Sequence, residues 1–100
     1  MRFEWDENKN RANKRKHGVD FETALRVFAD PFALSGQDRI EDGEERWQTL
    51  GFVEGHILLL VAHTFREETV GESAAVEVVR IISARKADRN ERRRYEEEGR

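Results

Sequence analysis

Apolar residues at positions 21, 24, 25 and 28 (Phe21, Ala24, Leu25, Phe28) fall at i, i+3, i+4 and i+7 and predict an amphipathic helix over 21–29. Asp20 is placed to cap its start, and Pro31 ends it at about Asp30. Before it, Phe3 and Trp5 alternate in a short strand over 2–5. A second helix is predicted over 7–17, closed by Gly18. It is almost wholly polar, with Ala12 its only small apolar residue, so it needs a partner surface or a solvated role. Its Lys9, Asn13 and His17 face reads as solvated.

After Pro31 the texture becomes β. Strands are predicted over 32–37, 46–53, 56–65 and 76–84. An acidic turn, Glu41-Asp42-Gly43-Glu44-Glu45, separates the first two, and Glu54-Gly55 separates the next pair. Ile57 to Ala62 holds no polar residue, which places that strand at the centre of a sheet covered on both faces. Residues 66–75 read as a long polar connection. A last helix is predicted over 88–98, with Asp88 and Glu91 at capping-box spacing. The order β-α-α-β-β-β-β-α predicts an α+β fold, its helices on one face of an antiparallel-rich sheet, as one domain over 1–100.

Charge sharpens this picture. The formal net charge is −3, but it is unevenly spread. Lys9, Arg11, Lys14, Arg15 and Lys16 lie together without an acid. Arg80, Arg85, Lys86, Arg89, Arg92, Arg93 and Arg94 stand against only Asp88 and Glu91. Such segments either bind an anionic partner locally or are ordinary solvated faces. In the last helix arginines precede glutamates, the less favourable order against the helix dipole, as though the basic start served a partner. There is no cysteine, so disulfide and thiolate chemistry are excluded. No apolar run approaches the ~20 residues of a membrane span, and the N-terminus lacks a signal-peptide stretch, so the cytoplasm is expected.

Many chemistries find no residues. The glycines form no phosphate loop, and His17, His56 and His63 have no metal-ligand spacing, so neither cofactor nor metal is expected. What remains is a polar cluster on two apolar strands, with His63 and Arg66 on one and Arg80, Ser83 and Arg85 on the other. Antiparallel pairing of these strands sets Arg66 near the start of the second and Arg85 far from it. Alternation puts Arg80 on one face with Val76, Val78, Ile82 and Ala84. A charge there either pairs with an internal acid or points into an open site. Metal-free RNA cleavage can use such groups, because the ribose 2′-OH is the nucleophile and arginines can hold the phosphorane charge.

The chain resembles the BrnT-type toxins. The resemblance runs from Phe3-Glu4-Trp5-Asp6, Lys9, Asn13, His17-Gly18-Val19 and Phe21 through Val27-Phe28-x-Asp30-Pro31 and Glu45-Arg46-Trp47 with Gly51. Its most specific parts are His63-Thr64-x-Arg66, the block Arg80 to Ala87, Glu91-Arg92-Arg93 and Tyr95-Glu96. It implies a RelE-like fold and a ribonuclease that halts translation. It further implies a BrnA-type ribbon-helix-helix antitoxin, which binds operator DNA in complex with the toxin. By carry-over, Arg66, Arg80 and Arg85 are the expected phosphate and transition-state cations and His63 the expected proton-transfer group, with Lys9, His17 and Lys86 contacting RNA. The segment Glu67–Val76 departs from the resemblance in its length, as a loop able to overhang the arginines. A non-catalytic RNA- or partner-binding module on the same fold is the alternative reading.

Overall fold

The structure is a computed structural model that describes residues 1–55 and 57–98; the reading that began a strand at His56 lies outside them. Asp6 accepts hydrogen bonds from the amides of Asn8 and Lys9 and so starts helix α1, Glu7–His17, which Gly18 ends at φ 74°. Asp20 accepts from the Thr23 amide and starts α2, Phe21–Ala24. The expected helix over 21–29 does not continue as α. It tightens into a 3-10 turn over Leu25–Ala29, closed by the Asp30 amide on the Val27 carbonyl. That carbonyl sits 2.9 Å from where a Cβ on Gly51 would lie, so the turn rests directly on the sheet.

Strand β1, Arg2–Glu4, lies at one edge of a five-stranded sheet of order β1-β5-β4-β3-β2. The others are β2, Leu34–Glu41; β3, Glu44–Val53; β4, Ile57–Val70; and β5, Ala74–Lys86. β1 runs parallel to β5, and the remaining neighbours are antiparallel. β2 and β3 run longer than their pattern predicts. The acidic segment is mostly strand, and the turn shrinks to Asp42-Gly43, both at positive φ (53° and 79°), as a two-residue primed turn demands.

The largest correction concerns residues 66–75. They are not an overhanging loop. β4 and β5 stay paired from Arg66↔Val78 to Val70↔Ala74, and the chain reverses at Gly71, φ 72°. A second correction follows from a bulge. Ala62 faces Ser83 and His63 faces Ile81, which leaves Ile82 unopposed and changes which side later residues take. Ala84 therefore joins Val79 and Ile81 under the helices, on the face opposite Arg80.

Two cores result. Val19, Phe21, Ala24 and Val27 pack on Leu59, Val61, Val79, Ile81 and Ala84 on one face. On the other, Leu50, Leu58 and Leu60 meet Tyr95 of α3, Arg89–Glu98. The helices thus lie on both faces rather than one. Asp88 and Glu91 exchange backbone bonds at 2.8 Å in the predicted capping box. α3 covers only the end of its face at which β4 begins.

Candidate active site

Strand register assembles the site on the part of the α3 face that α3 does not reach. Glu4 is paired with Arg80, and Arg80 with Thr64. Two residues along, Arg2 and Arg66 both lie beside Val78. Alternation sends Arg2, Glu4, Thr64, Arg66, Glu68 and Arg80 to the same side. The charges interlock there. Arg66 donates to Glu4 Oε1 at 2.5 Å and to Glu68 Oε1 at 2.6 Å. Arg2 donates to the other oxygen of Glu68 at 2.6 Å. Arg80 Nη1 lies 3.7 Å from the same Glu4 oxygen. The bond from Arg66 holds the Glu4 carboxyl below its usual range, aided by the charges of Arg66, Arg80 and Arg2. The same bond, with that of Glu68, holds the Arg66 guanidinium firmly protonated.

Arg80 therefore does both things its sequence context allowed: it pairs with an acid and lies on an open face. Its side chain is 40% exposed, as is that of Arg66. Each guanidinium carries five donors, so these pairs leave N–H groups for an incoming anion. Lys9 is exposed in the first turn of α1, and its amide donates to Asp6, two residues after Glu4.

Several expected site residues lie elsewhere. Arg85 is opposite Leu60, five residues along β5 from Arg80, roughly 16 Å away at strand rise. Both its terminal nitrogens bind Glu91, at 2.8 and 2.9 Å, so it anchors α3. Lys86 is farther still, exposed at the end of β5. His17 is at the opposite end of α1 from Lys9. His63 is the clearest departure. It is fully buried on the other face of the sheet, with Phe28 and Phe65 edge-on to its ring at 5.0 and 4.7 Å. Its Nε2 bonds Thr49 Oγ1 at 2.7 Å, and Thr49 in turn bonds Ser35. Burial pushes its pKa down to about 4, so it is neutral at pH 7 and shielded from any substrate over the arginines.

Sequence reading missed Glu4 as a site residue, although Phe3-Glu4-Trp5 sets a charge between two core aromatics. An acid at that position in an edge strand is the signal that a parallel pairing with Arg80 would have exposed. Asn13, expected on a solvated face, is buried and bonded to backbone. Among the described residues no group of three or more His, Cys, Asp or Glu is placed to hold a metal ion. No helix there is long and apolar enough to cross a membrane.

Comparison with known proteins agrees with this architecture. Residues 5–91 match a family described as the ribonuclease toxin, BrnT, of type II toxin–antitoxin systems. The structure is similar to the crystal structure of the Brucella abortus ribonuclease toxin, BrnT. The TM-score is 0.63 and the identity 26%, over 89% of this chain and 99% of that one. No curated protein sequence matches the chain.

Proposed function

Because the chain belongs to the BrnT family of ribonuclease toxins of type II toxin–antitoxin systems, we propose that it cleaves RNA without a metal ion on the sheet face that carries Arg66 and Arg80. The observation that carries this reading is the convergence of both guanidiniums on Glu4 over the part of the sheet α3 leaves open. In the proposed step the ribose 2′-OH attacks the adjacent phosphorus. The P–O5′ bond breaks, leaving a 2′,3′-cyclic phosphate and a 5′-hydroxyl. Arg66 and Arg80 donate to the non-bridging oxygens, where negative charge grows most. Glu4 orients both arginines while the site is empty. An arriving phosphate competes for them, which returns the Glu4 carboxylate toward its ordinary basicity beside the 2′-OH. It then accepts the hydroxyl proton, while a water molecule protonates the departing O5′ to give the 5′-hydroxyl. His63 and Arg85 take no part in this step, and Lys9 contacts the flanking RNA from the rim.

The partner in this reading is a BrnA-type ribbon-helix-helix antitoxin that carries the operator-binding function. The toxin acts in the cytoplasm, as one domain over 1–100, by degrading RNA needed for translation. The test is incubation of purified protein with total RNA in excess chelator. The parent is expected to cleave. Arg80→Ala is expected to lose about two to three orders of magnitude, the usual cost of one transition-state donor. Glu4→Gln keeps the shape and the hydrogen bond acceptor while removing the base, and is also expected to be impaired. Full cleavage by Arg80→Ala at equal protein would place the site elsewhere.

A further inference from the structure

Arg46 belongs to the same face, and its surroundings are unusual. Trp47 pairs with His63 on the helix-covered side. Alternation therefore turns Arg46 to the open side, in line with Thr64 of β4. Thr64 is opposite Arg80, and Arg80 is opposite Glu4. On its other flank Arg46 is opposite Arg39 of β2. Carried one step past the last β3–β4 pair, the alternation sets Arg39, Arg46, Thr64, Arg80 and Glu4 in one row across the five strands.

Within this row Arg46 is poorly satisfied. Its side chain is 23% exposed, and its only ion pair among the described residues is with Glu44, at 3.3 Å on a half-exposed carboxylate. Its Nε is buried without a hydrogen-bond partner among the described residues. A buried donor left unpaired costs free energy, which the side chain recovers by turning toward an arriving acceptor. The β3–β4 ladder also stops at Trp47↔His63, although β3 extends back to Glu44 and β4 on to Val70. The two hairpins separate at the point where Arg46 stands.

We propose that Arg46 binds the phosphate backbone of single-stranded RNA next to the scissile linkage, so that the substrate crosses the sheet at right angles to the strands along this row. The inference rests on the proposed site at Arg66 and Arg80 and adds its direction. Arg46 and Arg80 are two strands apart, at least about 10 Å, because the ladder spacing no longer holds where the hairpins separate. The intervening Thr64 is short and buried, so its own side chain does not stand up between the two guanidiniums. A backbone lying over Thr64 meets both. Arg46 is thus a binding residue that holds a flanking phosphate while Arg66 and Arg80 act on the reacting one.

The experiment is a titration of the full chain with a short, uncleavable 2′-O-methyl RNA of mixed sequence, read by fluorescence anisotropy at stepped salt. Arg46→Ala is expected to weaken binding roughly tenfold and to reduce the salt slope by about 0.7, the value of one single-strand phosphate contact. Arg46→Lys is expected to restore the slope while recovering only part of the affinity, since it keeps the charge and loses the planar fork. Arg46→Gln carries the same test where the alanine variant does not fold, with the same loss of slope. An unchanged slope in a folded Arg46→Ala or Arg46→Gln protein overturns the proposal and leaves Arg46 to a protein partner. If Arg80→Ala cleaves RNA as the parent does, the site itself falls. If Arg80→Ala is inactive but Arg46 variants bind normally, only the direction of the substrate falls.

Discussion

His63 sits where a strand-end histidine would be read as a catalyst, yet its surroundings make it a packing residue. Phe28 and Phe65 enclose the ring, and Thr49 satisfies Nε2. Protonating it would bury a charge without a carboxylate partner, which is why its pKa falls to about 4. The unfolded chain holds this proton with the ordinary value of 6.5, so acid favours unfolding. The contribution to stability is complete above pH 6.5 and is lost as pH falls toward 4. At 1.36 kcal/mol for each pKa unit, the loss amounts to roughly 3 kcal/mol. Urea unfolding at pH 7 and pH 4.5 reads it, and His63→Gln is expected to flatten the dependence across that window. An equally steep dependence in that variant would assign it to other groups. Asp30 shows the opposite balance. Burial alone raises its carboxyl, but bonds from Tyr95 and the amides of Phe52 and Phe32 outweigh it and hold the group ionised.

At the scale of elements, α1 resolves the problem a polar helix poses. It docks through asparagines bonded to backbone rather than through an apolar stripe. β1 covers β5 only from Val78 to Arg80, so the edge beyond is unpaired. Asn13 fills that gap: its Nδ2 donates to the Ala84 and Val19 carbonyls, and its Oδ1 accepts from the Ala84 amide. Asn10 accepts from the Phe21 amide and ties α1 to α2. Asn13→Ala leaves buried backbone groups unsatisfied and is expected to cost about 3 kcal/mol, read as a lower urea midpoint. Asn13→Asp is not expected to rescue it, because a carboxylate would face two carbonyls. A loss under about 0.5 kcal/mol, the usual range for surface changes, would show that water replaces the side chain. α3 is held differently, by the Arg85–Glu91 pair and by the Tyr95 hydroxyl on Asp30. The early-arginine, late-glutamate order of α3 thus has no bearing on Arg85, whose acid lies in the first turn.

For the whole molecule, the net charge of −3 argues against an RNA partner, while the row from Arg39 to Arg80 supplies cations on one face. Affinity in this arrangement is local and electrostatic. With about three phosphates met, RNA binding is expected to fall more than tenfold between 50 and 200 mM salt. A salt-insensitive interaction would point to base contacts in place of phosphates. The element types and their order were legible in the sequence, because apolar periodicity, Asp20, Gly18, Pro31 and the Asp88–Glu91 box are local signals. So were the absence of cysteine and the presence of Arg66 and Arg80 on two apolar strands. Residues 66–75 were not legible, since alternation there is weak and only pairing across the hairpin makes them strand. Nor was the separation of Arg85 and His63 from the other two arginines. The period-two alternation of β4 turns His63 to the helix-covered face, whereas Arg85, which the bulge at Ile82 keeps on the side of Arg80, is separated by five residues along β5. Glu4 joined the site only through the parallel pairing of β1 with β5, a contact between the two ends of the chain. The sequence by itself determined which elements form and that arginines on two apolar strands are available to chemistry. The tertiary structure alone decided which of those arginines meet at one acid, because strand register and helix cover are set by contacts far apart in the chain.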